Sequence, residues 1–255
     1  VEVTTSQGTG QAAAMIGADG LWSKTRNILR GNEKPRVSGH IAYRAVLPAD
    51  QVPDANRKNE VILWAGPRTH LVHYPLHRGK IFNLVAVFHS DRYEEGWDVF
   101  GDVSELTQRF AGQNKNVLNM LDKIESWRMW VLCDREPVKN WSKGRITLLG
   151  DAAHPTMQYL AQGACMAMED AVCLSAMLDR HEGNVKTAFQ AYQQARYLRT
   201  ARVQLTSRLY GDIYHAENVT AELRQLMLGN RDPEAAYKGM HWLYEGVTDK
   251  GEQLL

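Results

Sequence analysis

Gly150-Asp151-Ala152-Ala153-His154-Pro155 follows the short apolar run Arg145-Ile146-Thr147-Leu148-Leu149 and precedes a long helical pattern that begins near Gln162. The apolar run is typical of a strand buried on both faces. Small residues at such a turn and at the helix entry let backbone N–H groups and the positive helix end approach a ligand closely. The stretch predicts a strand, a turn and a helix that together hold a ligand, although a Gly-Asp turn alone is also common as a purely structural feature.

A similar arrangement is predicted near the start of the chain. Val1 to Thr5 and Ala12 to Ile16 have strand-like patterns, with a turn expected at Gly8 and Gly10. The second strand ends at Gly17-Ala18-Asp19-Gly20, and Ser23 to Leu29 has helical composition. Because Val1 already lies in a strand-like pattern and no Met precedes it, we expect that the chain is truncated.

The middle of the chain is predicted to be rich in β-strands. Apolar alternation predicts strands over His40 to Val46, Val61 to Trp64, His70 to Leu76, Ile81 to Phe88 and Trp127 to Leu132, with two helices over Val103 to Phe110 and Val117 to Ile124. The turn at His77 to Lys80 predicts an antiparallel hairpin. We therefore predict an α/β protein with four parts: residues 1–36, a β-rich domain over 37–134, a return to the first domain over 135–182, and C-terminal helices over 183–255.

The composition of the chain indicates which kinds of partner it is expected to bind. Lys and Arg number 30 against 29 for Asp and Glu, so no strong field favours nucleic acid. No apolar run approaches the roughly 20 residues of a membrane span, and no signal peptide opens the chain, which predicts a cytoplasmic protein. The nine histidines are scattered along the sequence, and none forms the two-His-plus-carboxylate set of an iron hydroxylase. A small-molecule partner and no metal site are expected.

The two turns carry a family resemblance. Gly150 to Pro155, continuing through Ala161-Gln162-Gly163-Ala164 to Glu169-Asp170-Ala171, resembles the flavin-binding GD motif of the class A FAD-dependent aromatic hydroxylases. Ile16 to Arg26 resembles the DG motif of the same family. The resemblance implies the C-terminal part of a p-hydroxybenzoate hydroxylase fold, an α/β FAD/NAD(P)-binding fold with an interleaved β-rich substrate domain and a C-terminal helical region. The Gly-rich ADP-binding unit of that fold would lie upstream of Val1, so weak FAD retention is expected of this chain alone.

The resemblance also implies which residues meet FAD. Asp151 would bind the ribityl or pyrophosphate region, and the backbone from Ala161 to Ala164 would face the isoalloxazine ring. Asp19 and Arg26 would support the pyrophosphate and the NAD(P)H route, Asp19 by fixing the turn and Arg26 by its charge. For Arg26 an ion pair within the protein is the open alternative, and His154 is expected to be either a supporting residue or a catalyst. The residues expected to bind the cofactor are Asp19, Gly20, Arg26, Gly150, Asp151, Pro155, Ala161, Gln162, Gly163 and Ala164.

A departure from the common motif points to the substrate. Many relatives have a Pro and an Asn where this chain has Gln158 and Cys165, and Pro155 to Leu160 instead resembles the 3-hydroxybenzoate 6-hydroxylases. In these enzymes a His and a Tyr four residues apart line the substrate pocket, an arrangement that His70 and Tyr74 match. Alternation along a strand places His70 and Tyr74 on one face and His73 and His77 on the other. We expect a pocket into which His70 and Gln158 both reach.

The implied chemistry is hydroxylation of 3-hydroxybenzoate para to its hydroxyl, giving gentisate, with NADH and O2 and through a C4a-hydroperoxyflavin. His70, with an ordinary pKa near 6.5, would accept the phenol proton around neutral pH, and the Gln158 amide would donate a hydrogen bond. The catalytic residues expected are His70, Tyr74 and Gln158, and a homodimer is implied by the family. The alternatives are a salicylate hydroxylase-like enzyme, or an inactive fragment that serves as an interaction module.

Overall fold

In the computed structural model, residues 1–91, 99–229, 231–245 and 247–248 are described. The strands are β1 Glu2–Thr5, β2 Gly8–Gln11, β3 Met15–Gly17, β4 Arg36–Pro48, β5 Ile62–Gly66, β6 Thr69–Leu76, β7 Ile81–His89, β8 Val99–Phe100, β9 Arg128–Asp134, β10 Ser142–Lys143 and β11 Ile146–Leu148. The helices are α1 Lys24–Arg30, α2 Val103–Arg109, α3 Lys115–Leu121, α4 Gly163–Arg180, α5 Val185–Tyr214, α6 Asn218–Leu228, α7 Pro233–Gly239 and α8 His241–Tyr244. Among the described residues, no helix is long and apolar enough to cross a membrane.

The chain divides into two compact units. The first contains Val1–Arg36, Cys133–Tyr210 and Arg231–Leu255, and the second contains Val37–Leu132 and Gly211–Asn230. Residues from position 183 onward contribute to both units. The division of the chain at residues 36, 134 and 182 stays a prediction.

The first unit is built on a small sheet and two long helices. Its sheet has the order β10-β11-β3, with β11 antiparallel to β10 and parallel to β3. The core of this unit includes Trp141, Leu148, Leu174, Phe189 and Tyr192, all buried. β1 pairs with β2 in a separate hairpin, so Gly8 and Gly10 lie in a strand and not in the predicted turn.

The second unit is a six-stranded sheet with the order β5-β6-β7-β4-β9-β8. The predicted hairpin of β6 and β7 is confirmed, with His77–Gly79 as its turn. One face of this sheet forms a hydrophobic core with α2 and α3, and Leu71, Phe88 and Trp127 are fully or almost fully buried there. Because side chains alternate along a strand, the neighbouring positions on β4, β6 and β7 point to the opposite face of the sheet.

Candidate functional site

Two motif turns lie side by side in the first unit. β3 and β11 are paired in parallel, with Ile16 opposite Thr147 and Gly17 opposite Leu148. The backbone N–H of Leu149 continues the ladder by donating to the carbonyl of Gly17 at 2.9 Å. Both strands therefore end at the same sheet edge, where Asp19 follows one and Asp151 follows the other. In open α/β sheets, ligands bind at the carboxyl ends of the strands.

Position 150 requires a glycine, both because of its backbone conformation and because Ala167 lies close to it. Its φ is +60°, in the left-handed region, and a Cβ at this position would lie 3.0 Å from the Cβ of Ala167 on α4. A side chain would thus meet both strain and a clash. The close approach fixes the turn against α4, whose first residue is Gly163.

A cluster of buried charged side chains, Asp170, His154 and Arg196, stabilises the turn at Gly150. The carboxylate of Asp170, on α4, accepts the N–H of Gly150 at 3.0 Å, and its Oδ2 lies 2.6 Å from Nε2 of His154. Arg196 on α5 donates from Nε to the other oxygen, Oδ1, at 2.8 Å. Burial by itself raises the pKa of Asp170, but His154, Arg196 and the Gly150 amide outweigh it and lower this pKa to about 2. The ring of His154 is thus bound to Asp170, and its role as a supporting residue or a catalyst stays a prediction.

The Asp19 carboxylate organises the other turn. It accepts the hydroxyl of Ser23 at 2.5 Å and both the N–H and the hydroxyl of Thr25 at 3.0 and 3.1 Å. Burial raises the pKa of Asp19, but these hydrogen bonds outweigh it and the net pKa is lowered. Ser23 in turn caps α1 by accepting the N–H of Arg26. These three hydrogen bonds hold the turn, in which Gly20 has a φ of +73°. The contribution of Asp19 and Gly20 to cofactor binding stays a prediction.

Arg26 joins the two motifs inside the protein. Its side chain is buried, and Nη1 donates to the carbonyls of Ala152 and Ala153 at 3.1 and 2.7 Å. Nη2 forms an ion pair with Glu33 at 3.3 Å. Burial and the nearby Arg135 lower the pKa of Arg26 to about 10, so it stays charged at neutral pH. The ion pair that the sequence left as an alternative is present, and a direct role of Arg26 at the cofactor stays a prediction.

The segment between Pro155 and α4 contains a turn with a strained backbone position. Gln158–Leu160 is a single 3-10 turn, and Ala161 after it has the left-handed φ of 54°. A non-glycine residue in this conformation costs about 1–2 kcal/mol, and such strain is concentrated at functional sites. Gln162 then leads into α4, whose first-turn N–H groups have no acceptor within the helix.

Asp151 lies next to this helix entry. A Cβ added to Gly163 would lie 3.8 Å from Oδ1 of Asp151, with no atom closer than Thr156 Cγ2 at 3.7 Å. Asp151 as a whole residue is exposed, but its carboxyl group is partly removed from water by the surrounding protein. This desolvation raises the pKa of Asp151, and the nearby His154 partly offsets the rise. A carboxylate and a positive helix end therefore share the edge of the sheet where both motifs end.

The predicted substrate residues of the second unit lie on β6. His73 stacks on Trp64 and contacts Phe82 on the core side of the sheet, so His70 and Tyr74 belong to the opposite face, as alternation predicted. His77 lies in the hairpin turn and is not part of the strand. His70 is buried, whereas Tyr74 is half-buried, as is Gln158 in the first unit.

The fold also gathers histidines that are far apart in sequence. On the same face of the second unit's sheet, His70 Nδ1 lies 2.6 Å from His215 Nε2, and His89 Nε2 lies 3.0 Å from His215 Nδ1. His40 packs against the rings of His89 and His215 at centroid distances of 4.3 and 4.6 Å. Histidines that are scattered along the sequence thus meet in the fold, because the pairing of β4, β6 and β7 brings three of them beside the end of α5.

Burial changes the acid-base properties of this cluster. Removal of His70 from water, with a smaller effect of His40, lowers its pKa to about 3. Burial, followed by repulsion from the neighbouring imidazoles, lowers the pKa of His215 as well. The expected pKa near 6.5 for His70 was wrong, because that value belongs to an imidazole in water. His70 alone is thus a weak base at neutral pH.

Sequence reasoning missed several residues that organise these two sites. Arg196, and Arg199 through its 2.7 Å bonds to Glu169, gave no local signal because they lie in the middle of the long helix α5, far in sequence from both motif turns. Asp170 was part of the quoted motif, and its position twenty residues after Gly150 was the one available hint. Nothing in the local sequence around His215 pointed to its contact with His70.

A family model, several known proteins and a solved structure are all similar to this chain. The family model for the FAD binding domain matches residues 3–207. The 3-hydroxybenzoate 6-hydroxylase 1 of Aquipseudomonas alcaligenes is 46% identical over 237 residues, covering 92% of this chain and 60% of that protein. The 3-hydroxybenzoate 6-hydroxylase of Klebsiella oxytoca is 48% identical over 239 residues, covering 93% of this chain and 60% of that protein. A solved salicylate hydroxylase substrate complex matches with a TM-score of 0.82 at 25% identity, covering 98% of this chain and 65% of that one. The chain spans about 60% of the length of the two curated relatives.

Proposed function

Because the chain belongs to the FAD binding domain family, among the class A aromatic hydroxylases, we propose that it forms the larger part of a 3-hydroxybenzoate 6-hydroxylase. The proposal depends above all on the parallel pairing of β3 with β11, which brings both motif turns to one sheet edge. The substrate is taken from the two relatives that are 46% and 48% identical. The product would be gentisate, formed by hydroxylation para to the existing hydroxyl.

The residues at the sheet edge fit a flavin. Gly150 leaves no room for a side chain, Ala161 is held in a strained conformation, and Gly163 begins a helix whose first N–H groups can meet an electron-rich ring or its carbonyl oxygens. The carboxylate of Asp151 can accept hydrogen bonds from ribityl hydroxyls. When bound and reduced, FAD supplies the oxygen-activating chemistry of the reaction. The residues proposed to hold FAD are Asp19, Gly20, Arg26, Gly150, Asp151, Pro155, Ala161, Gln162, Gly163 and Ala164.

Three side chains are proposed to act on the substrate. His70 accepts the phenol proton at Nε2, which raises the electron density of the ring at the position that is hydroxylated. Tyr74 lines the pocket from the same strand face, and the Gln158 amide donates a hydrogen bond to the substrate or to bound oxygen. The lowered pKa of His70 means that this proton must be passed on and not stored.

Other parts of the proposal are taken from the resemblance. They are NADH as reductant, O2 as the second substrate, a place in the catabolism of aromatic acids through gentisate, a cytoplasmic location and a homodimer. The exposed apolar residues of α6 support the last of these.

One experiment tests the main proposal. The complete enzyme, of which this chain is proposed to be the larger part, is reconstituted with FAD, and hydroxybenzoate isomers are screened while NADH consumption and product identity are followed together. We expect gentisate from 3-hydroxybenzoate. Catechol and carbon dioxide from salicylate would favour the salicylate hydroxylase alternative, to which the matched salicylate hydroxylase structure gives some support. A protein that shows no flavin absorbance after reconstitution would point to the interaction module.

Two variants test the named residues. His70→Ala should slow hydroxylation while flavin reduction by NADH continues. Gln158→Ala should uncouple NADH consumption from product formation. Unchanged hydroxylation in the first variant, or tightly coupled turnover in the second, would remove that residue from the proposed site.

A further inference from the structure

We propose that His215 and His89 are positioning residues that form, together with His70, a proton relay from the buried imidazole to solvent. The relay rests on the proposed function, because the proton that it carries is that of the substrate phenol. It assigns roles to two histidines that neither motif contains.

The three rings form a continuous chain of ring nitrogens. His70 uses Nδ1 toward His215 Nε2 at 2.6 Å, and His215 uses its other nitrogen, Nδ1, toward His89 Nε2 at 3.0 Å. A neutral imidazole has one N–H donor and one acceptor nitrogen. Each ring in the chain can therefore donate to the next, and the direction of donation can reverse along the whole chain.

The transfer leaves every ring neutral. Before it, His70, His215 and His89 carry their protons on Nδ1, and each of the first two donates to Nε2 of the next ring. The phenol proton then binds to His70 Nε2, the Nδ1 proton of each ring moves to the next Nε2, and the Nδ1 proton of His89 leaves to water. The substrate is left as phenolate, and all three imidazoles have exchanged tautomers. No buried imidazolium is formed, so the transfer avoids the cost of a charge that burial disfavours.

The chain has an outlet at His89. This residue is half-buried and lines a cleft of about 340 Å3 together with Pro67, Arg68, Thr69, Gln108 and Arg109. The charged groups that act on His89 are Arg68, Arg109, Asp212 and Glu217. Burial comes first and lowers the pKa of His89, with Arg68 adding to this and Glu217 and Asp212 opposing it. His70 itself is 2% exposed, so a direct route from its ring to bulk water is much less open than the route through His89.

A metal ion is the competing explanation for this cluster. His40, His89 and His215 offer ligand atoms within 4.8 Å of one another. Zinc with bonds of about 2.0–2.1 Å at tetrahedral angles would hold two nitrogens about 3.3–3.4 Å apart. Within this set, His89 Nε2 and His215 Nδ1 are 3.0 Å apart, the separation of an N–H···N hydrogen bond. The other nitrogen of His215 is engaged with His70, which is outside the set, and both contacts favour the relay.

The test follows the proton directly. FAD-reconstituted protein is mixed with 3-hydroxybenzoate, and proton release is recorded with a pH indicator while the absorbance of the phenolate is followed. The variants are His215→Gln and His89→Gln, because an amide keeps hydrogen bonds but does not readily exchange a proton between its two ends. The matched control is His241→Gln, an exposed histidine of the first unit.

We expect both variants to slow proton release and phenolate formation together by about 10-fold to 100-fold, with substrate and flavin affinities within about twofold of the control. Because His89 lines an open cleft, free imidazole should restore the rate in His89→Ala, a result that a structural role would not produce. Rates equal to those of the control would overturn the relay. So would a metal ion bound at one equivalent in the wild type and lost in the His215 variant.

Failure of the wild type to bind any hydroxybenzoate would reject the proposed function and remove the proton that the relay carries. Binding that ionises the phenol at the same rate in the wild type and in both variants would reject the relay alone. Nuclear magnetic resonance of 15N-labelled histidines gives a readout independent of turnover, since scalar coupling across the two N–H···N bonds is expected in the wild type and should be lost in His215→Gln.

Discussion

The backbone N–H of Gly150 donates a 3.0 Å hydrogen bond to Oδ2 of Asp170, twenty residues later in the chain. This bond ties the turn after β11 to the helix that follows it. The carboxylate that accepts it is fully buried and is neutralised by Arg196. The shape of the proposed flavin site is therefore set by a charge that does not itself face the sheet edge.

Replacement of Asp170 should weaken both the hydrogen bond to Gly150 and the ion pair with Arg196. Asp170→Asn removes one of the two carboxylate partners of the buried Arg196, whose Nη1 still donates to Glu169 at 2.7 Å. We therefore expect a cost of about 3 kcal/mol, at the low end of the range for a broken buried ion pair. The unfolding free energy from urea titration should fall by that amount, and flavin affinity should fall with it. Asp179→Asn, at an exposed position of the same helix, is the control and should change stability little. Equal stabilities of the two variants would contradict the role given to Asp170.

Gly150 can be tested against a glycine with the same backbone angle. Gly150 and Gly144 have φ values of +60° and +62°, but an added Cβ at Gly144 would meet no atom within 4 Å. Both alanine variants should lose about 1–2 kcal/mol from backbone strain. Gly150→Ala should lose more because of the contact with Ala167, and it alone should weaken flavin binding, as measured by fluorescence titration. The same loss in both variants would show that the close approach to α4 is unimportant.

Arg26 should act through the two carbonyls that it binds. Arg26→Met leaves the carbonyls of Ala152 and Ala153 without this donor and should lower the unfolding free energy by about 2–4 kcal/mol. Arg30→Met removes a more exposed guanidinium that pairs with the same Glu33, and a loss below about 1 kcal/mol is expected. Thermal unfolding of the two variants measures these losses of stability. A larger loss in the Arg30 variant would be the opposite of what the structure predicts.

Stability should fall on mild acidification because of the buried histidines. The pKa of His70 is lowered to about 3 and that of His215 is lowered too, whereas both titrate near 6.5 in the unfolded chain. The unfolded state therefore binds more protons below pH 6.5, so this stabilisation is complete above that pH and is lost as the pH falls. Each of the two histidines should cost about 2 kcal/mol between pH 6.5 and pH 5. His215→Gln should show a weaker pH dependence of unfolding than His241→Gln, and identical profiles would speak against the burial effect.

The proposed homodimer predicts a role for α6. Val219, Leu223, Leu226 and Met227 share one side of this helix and are 54–76% exposed. A large exposed apolar patch marks an interaction surface, and a second copy of this chain is the occupant that the family resemblance suggests. Leu223→Glu with Leu226→Glu should give a monomer by light scattering, whereas Gln225→Glu, directed away from Leu223 and Met227, should not. A monomeric wild type would reject this surface as the dimer contact.

The sequence by itself determined the two motif turns and the strands that carry them. Gly20, Gly150 and the apolar run before Gly150 act over a few residues, because a left-handed turn needs glycine and a doubly buried strand needs apolar side chains. Alternation along β6 also separated His70 and Tyr74 from His73, since the side-chain period of a strand is fixed by its backbone.

Only the tertiary structure decided what each charged or titratable group meets. Arg26 binds the carbonyls of Ala152 and Ala153, while its role at the cofactor stays a prediction. His70 was expected to titrate near neutral pH but is buried beside His215. Partners that lie more than a hundred residues apart leave no periodic pattern in the sequence. Burial, which sets both the pKa of His70 and the neutral state that a relay requires, depends on how sheet and helix pack and is not a property of any local stretch of chain.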